Sequence, residues 1–186
     1  GIMGPILQSN GLANQEVFNS GAKLVAGQNA AVVTNQFVDQ FITFGGSGLT
    51  LGLVCTMLYF SKSRQYKELG KLSIIPGLFN INEPIIFGFP VVFNPIMAIP
   101  FILAPVISAI MVYVSIATGI VEPFRAISVP WTTPFIISGF LIGGVKAAIL
   151  QIAVFSMTIA VYFPFFKYQD KLAYQEEQKI GTEATV

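Results

Sequence analysis

LSIIPGLFNINEPIIFGFPVVFNP, residues 72–95, places one carboxylate, Glu83, in a stretch that has no other charge and contains Pro76, Pro84, Pro90 and Pro95. A charge at membrane depth is costly and rarely kept without a use, and prolines at these intervals break a helix that carries it. Broken backbone persists at that depth only where protein buries it or a wet cavity receives it. The segment therefore reads as a re-entrant hairpin. Two short arms meet near Asn80–Pro84, with Glu83 at the tip presented, beside its asparagines, to a polar ligand. A kinked, packed helix around a protonated glutamate is the plainer alternative.

Composition points the same way. Apolar residues make up 54% of the chain and charged residues 10%, against about 25% charged in soluble domains, and mean hydropathy is +0.71. Positions 40–61 carry no charge, and between Leu72 and Phe166 the charges are Glu83, Glu122, Arg125 and Lys146. The chain thus reads as an all-α membrane protein, transmembrane helices plus a re-entrant hairpin that carries the Asn-Glu-Pro motif. Net charge is +1, with no basic patch interleaved with aromatics, so nucleic acid has no support as a partner.

Several chemistries are excluded within these residues. There is no histidine and a single cysteine, which removes zinc sites, Ser-His-Asp triads and internal disulfides. Cys55 lies in the apolar run LGLVCTMLYF and reads as an inert, buried thiol. The acidic residues form no DxxxD or paired-Glu pattern, so neither a metal nor a cofactor is expected.

Outward from the motif, residues 1–39 are rich in Asn, Gln, Gly and Ala, too polar to span and suited to amphipathic or re-entrant pieces. The opening GIMGP has neither a basic n-region nor a cleavable signal, and residue 1 reads as an interior residue of a longer protein. Residues 41–60, FITFGGSGLTLGLVCTMLYF, read as a span, long enough to cross a hydrocarbon core of about 30 Å. Gly45, Gly46 and Gly48 weaken its first half. The GGSG break is either close helix packing or a turn that bares backbone amides and the Ser47 hydroxyl to a ligand.

SKSRQYKELGK, with Lys62, Arg64, Lys67 and Lys71 against Glu68, reads as a cytoplasmic loop by its positive charge. Residues 96–118 make a second span, with kinks expected at Pro100 and Pro105. VEPFRAISVPWTTP, residues 121–134, is too crowded with charge and proline to hide another crossing. Residues 135–166 make a third span. Lys146 falls about 16 Å into it on a straight helix and is paired, lines water or snorkels. The tail from Lys167 onward is charged. If it and the Lys62–Lys71 loop share the cytoplasm, two spans separate them, and the Glu83 segment must enter and leave on one side.

The run GLFNINEPIIFGFPVVFNP, the PWTTP at 130–134 and the helix ending FPFFKYQDK resemble the membrane component, enzyme IIC, of bacterial sugar phosphotransferase systems in the lactose/cellobiose/diacetylchitobiose family. The resemblance extends over essentially all 186 residues but covers well under half of the family's usual length. It implies that residues 1–186 are the carboxy-terminal, substrate-binding portion of a larger enzyme IIC. The amino-terminal helices that form the family's homodimer contact are absent, as is the histidine that precedes a segment similar to Gly4–Ile6.

Further implications are transport of a β-linked disaccharide of the cellobiose, diacetylchitobiose or lactose class, across the inner membrane in a multi-pass protein with a cytoplasmic tail. Transport would be coupled to phosphorylation by a cytosolic IIB that carries a phosphocysteine and is charged by IIA upstream. Cys55, within an apolar span, is not that cysteine. By match to the family motif, Glu83 faces the sugar and activates the hydroxyl that receives phosphate. Asn80 and Asn82 match its polar neighbours, Trp131 a sugar-lining tryptophan, and Gly45, Gly46 and Ser47 a stretch contributing backbone and hydroxyl contacts.

The residues support this independently. A sugar offers hydroxyls and a weakly apolar ring face, which carboxylate, amide and aromatic groups recognise together; Glu83, Asn82 and Trp131 with Thr132 supply them. Burial would raise the pKa of Glu83 and suit it to act as general base. Trp131 is alternatively an interfacial anchor. Two other classes stay open: a membrane enzyme acting alone, which needs a second catalytic group beside Glu83, and a passive channel or structural subunit, which leaves Glu83 unexplained.

Overall fold

The computed structural model describes residues 3–89, 91 and 94–183, with the backbone alone for 181–183. Its helices are α1 Met3–Asn19, α2 Asn35–Phe41, α3 Leu51–Phe60, α4 Arg64–Leu78, α5 Glu83–Gly88, α6 Pro95–Ala117 and α7 Ile137–Glu183. Among the described residues the extended structure amounts to one isolated bridge, Ala26 to Ala30. Pro90 lies outside the described residues, as do positions 92 and 93, so the end of the motif stretch is not characterised. The chain divides into two compact units, Gly1–Phe44 with Pro105–Val154, and Gly45–Ala104 with Phe155–Val186.

In the first unit the polar amino-terminal segment is used for docking. Asn14 is wholly buried in α1. Its amide donates to Ala31 O at 2.9 Å and Phe124 O at 2.8 Å, and its Oδ1 accepts from Ala31 N at 2.8 Å. One asparagine thereby satisfies backbone groups of two irregular segments that would otherwise be buried unpaired. Phe41 stacks on Phe124 with ring centroids 5.1 Å apart, and Ser108 of α6 donates to Phe41 O at 2.6 Å. No helix forms between Ala117 and Ile137, in agreement with the absence of a crossing there.

The third span differs from the expected straight helix. α7 is interrupted at Gly143 (φ −148°, ψ 16°) and Gly144 (φ 68°, ψ −159°), the latter a backbone state that costs glycine little and other residues more. Residues 137–142 fold back on the helical segment beyond this break. Buried Gln151 accepts at Oε1 from Ile136 N at 2.6 Å and Gly139 N at 3.0 Å, groups that a helix start leaves without internal partners. The continuous helix begins only after Gly144. Lys146 therefore lies in its first turn, exposed, lining a cavity of about 280 Å³ with Lys23, Glu122 and the end of α6. The depth expected on a straight helix does not arise, because the helix restarts just before this lysine.

In the second unit the expected 41–60 span is not one helix. Gly45, Gly46 and Gly48 adopt φ of 70°, 89° and 76°, and a 3-10 turn at Ser47–Leu49 precedes α3. The ten residues of α3 reach about 15 Å, half a bilayer core. Cys55 sits half-buried within it. The basic stretch read as a loop is helical. Ser63 caps α4 by accepting from Tyr66 N at 3.3 Å, and Gln, Lys, Glu and Leu favour the helix that it starts. Lys71 pairs with Glu68 at 2.7 Å on its exposed face.

Two helices are long and apolar enough to cross a membrane, Pro95–Ala117 and Ile137–Ile180. α6 stays helical through Pro100 and Pro105. At its start Asn94 Oδ1 accepts from Ile96 N at 3.0 Å and Met97 N at 3.3 Å. At its end Gly119, φ 76°, turns the chain so that Val121 N reaches Ser115 O at 3.1 Å.

Candidate functional site

The Glu83 stretch forms two helical arms joined by a turn at Phe79–Asn82. α4 carries Pro76 within its last turn and ends at Leu78. Asn80 takes φ 65°, a left-handed state that asparagine tolerates better than most residues. α5 then starts at Glu83, with Pro84 next, where proline's missing N–H has no helical partner to lose. The arms run back along each other: a Cβ on Gly88 would fall 2.6 Å from Leu69 Cδ1. Glu83 is thus the first residue past the tip. It is exposed, not buried as expected, and among the described residues no cation pairs with it.

This turn is stitched to the GGSG turn. Gly45 N donates to Asn80 Oδ1, and Asn82 Nδ2 donates to Ser47 O at 3.0 Å and Thr50 Oγ1 at 3.1 Å. Thr50 Oγ1 in turn donates to Gly45 O at 2.9 Å. Gly46 abuts the Asn82 side chain so closely that a Cβ there would overlap Asn82 Cγ. From below, buried Tyr162 donates to Gly48 O at 2.6 Å. Side chains of the one irregular turn thereby satisfy backbone groups of the other.

Six residues singled out from sequence, Gly45, Gly46, Ser47, Asn80, Asn82 and Glu83, come together in this way within one unit. Their roles differ from the expectation. The asparagine amides are engaged with backbone, so Asn80 and Asn82 build the junction; Ser47 and Glu83 are its exposed polar side chains. Asn82 bonds the carbonyl of Ser47 and immediately precedes Glu83, so one fixed amide ties together the backbone of two residues whose polar side chains are exposed. A carboxylate accepts hydroxyl protons and a serine both donates and accepts, a set matched to polyhydroxyl ligands. Among the described residues no three His, Cys, Asp or Glu side chains gather as metal ligands.

Trp131 and Thr132 belong to the other unit, in a turn closed by Thr133 N donating to Pro130 O at 2.9 Å. The indole is 65% exposed and Thr132 half-buried. Sequence reading missed Thr50 and Tyr162. Tyr162 carried a signal: a tyrosine in an apolar helix needs a partner for its hydroxyl, and a glycine-broken turn offers spare carbonyls.

The family model described as "Phosphotransferase system, EIIC" matches residues 1–105. A cellobiose-specific EIIC component of Geobacillus stearothermophilus is 48% identical over 182 residues, 96% of this chain and 39% of that protein. A lichenan permease IIC component of Bacillus subtilis is 42% identical over 97% of this chain and 39% of its own length. The crystal structure of the transporter ChbC, the IIC component of an N,N′-diacetylchitobiose-specific phosphotransferase system, superposes with a TM-score of 0.88 at 42% identity. It covers 95% of this chain and 40% of ChbC. The chain therefore spans about two fifths of the length of these relatives.

Proposed function

Since this chain belongs to the EIIC family of phosphotransferase systems, whose members are membrane proteins, we propose that residues 1–186 are the carboxy-terminal, substrate-binding portion of a sugar translocation subunit. The substrate is a β-linked disaccharide of the cellobiose, diacetylchitobiose or lactose class. The phosphoryl donor is a phosphocysteine on a cytosolic IIB, recharged by IIA. In this reading the protein lies in the bacterial inner membrane, dimerises through amino-terminal helices and keeps the tail after Lys167 in the cytoplasm. The α4–α5 hairpin enters and leaves on one face.

One observation carries the proposal: the junction of the GGSG and Asn-Glu-Pro turns, which spends its amides on backbone and leaves Glu83 and Ser47 exposed. The sugar hydroxyl attacks phosphorus. An O–P bond forms, the S–P bond breaks, the thiolate stays on IIB, and Glu83 accepts the hydroxyl proton. Positioned general bases contribute about 10²- to 10⁴-fold. Glu83→Gln keeps the shape and hydrogen-bonding reach but cannot take the proton. In the full-length protein it should reduce IIB-dependent phosphorylation of cellobiose about 100-fold or more, with binding affinity within about fivefold. Near-normal phosphorylation by the Gln variant would remove Glu83 as the base.

Trp131, with the Thr132 hydroxyl, is assigned an aromatic sugar contact. Trp131→Ala should weaken cellobiose binding by about 1 to 3 kcal/mol, measured by titration calorimetry. An interfacial anchor would alter insertion and leave affinity unchanged.

A further inference from the structure

The first arm of the hairpin is fastened at its root by two carboxylates from α7. Asp170 is buried and accepts from Lys62 N at 3.0 and 2.9 Å, Ser63 N at 2.9 Å and Ser61 Oγ at 2.6 Å. Seven residues on, two helical turns along the same face, Glu177 accepts from Ser63 Oγ at 2.6 Å and from Arg64 N and Gln65 N at 3.1 Å. Ser63 Oγ takes Tyr66 N, and Lys67 N opens the internal ladder to Ser63 O at 3.1 Å. The amides that a helix start leaves open are therefore all occupied, and four consecutive ones, Lys62 to Gln65, are held by another helix.

A capping serine alone satisfies one of these amides locally. Two acceptors from α7 instead fix direction: α4 cannot swing about Ser63 without breaking charge-assisted hydrogen bonds, which are about twice as strong as neutral ones. The arm is fifteen residues long, about 22 Å from root to tip. A pivot of about 3° at the root would shift the tip by about 1 Å, a misplacement that can cost about 10²-fold where reacting atoms must align. Sugar binding, spread over several hydrogen bonds, tolerates such a shift better than in-line transfer does.

We infer that Asp170 and Glu177 are positioning residues for Glu83, acting through α4 to hold the hairpin tip in register for phosphoryl transfer. This rests on the functional reading above. The test uses the full-length protein in lipid nanodiscs with phosphorylated IIB and cellobiose, and a spin label at Phe79, the first position of the turn, with a control label at Leu12 in the other unit, on a background cleared of other cysteines. Asp170→Asn should reduce kcat for phosphorylation 10- to 100-fold, with cellobiose Kd within threefold. The label at position 79 should become more mobile while that at 12 stays unchanged.

Glu177→Gln should show the same split at about threefold in kcat, and decides the matter if the Asn variant does not assemble. Wild-type kcat with an unchanged label at 79 overturns the inference. So does equal loosening at 79 and 12 with kcat and affinity falling together, which is the signature of general destabilisation. If the unsubstituted protein phosphorylates neither cellobiose nor N,N′-diacetylchitobiose, the functional reading fails, and the labels alone decide whether the clamp holds the tip.

Discussion

Gln151 in one unit and the Asn80–Asn82 pair in the other answer the same problem, a helix broken where no water can be counted on. The answers differ in what remains. Gln151 is wholly buried and spends its whole amide: Oε1 on Ile136 N and Gly139 N, Nε2 on Gln40 O at 2.7 Å and Ser138 Oγ at 2.9 Å. Asn80 and Asn82 are half-exposed, serve the GGSG backbone, and leave Glu83 and Ser47 facing outward. A break in a membrane helix is therefore not in itself a site. In the proposed reading it becomes one where the repair leaves polar capacity uncommitted.

The comparison can be broken at several points. The largest effect is expected at the sealed seam. Gln151→Leu strips partners from buried Gly139 N and Gln40 O, each costing about 1 to 3 kcal/mol when left unpaired, and from Ile136 N and the Ser138 hydroxyl, so unfolding in detergent should ease by about 2 to 6 kcal/mol while the folded fraction binds cellobiose normally. A loss of affinity comparable to the loss of stability would mean that this seam, too, serves a ligand.

At the open junction, Gly46→Ala puts a methyl group onto Asn82 at a φ of 89°. A cost of about 2 kcal/mol is expected, and because Asn82 must move, cellobiose affinity should drop about tenfold. Stability lost without affinity would detach Asn82 from the site. Asn82→Asp keeps the shape but loses the donor to Ser47 O and Thr50 Oγ1 and adds an anion next to Glu83. A destabilisation of about 1 to 2 kcal/mol is expected, read by thermal unfolding. The smallest effect belongs to Tyr162→Phe: about 1 kcal/mol of stability for the bond to Gly48 O, with kcat little changed.

The legible parts of the sequence were legible through scarcity. One carboxylate and closely spaced prolines in an uncharged stretch located the Glu83 turn, because a membrane environment makes each of them expensive. Glycine clustering marked the GGSG stretch as weak, yet its twenty uncharged positions still read as a span, since length and hydropathy do not register three left-handed glycines as a turn. Lys146 was misplaced for the same reason: Gly143–Gly144 restarts the helix just before it. The asparagines were found and their partners were not. A polar side chain near a motif looks like a ligand contact until the backbone groups around it are counted, and that count depends on which turns meet. The charged run at 61–71 shows the converse, where charge density obscured a well-capped helix.

α6 carries one more consequence. Asn94 closes its first turn and the Val121 to Ser115 bond closes its last, so the helix has no loose end to unwind or extend. Its 23 residues measure about 34 Å against a hydrocarbon core of about 30 Å. A helix slightly longer than the core it crosses leans, by an amount that its packing against neighbouring helices sets. Lipids with longer acyl chains would set the helix more upright. Membrane thickness thereby bears on how steeply this one helix stands in the bilayer.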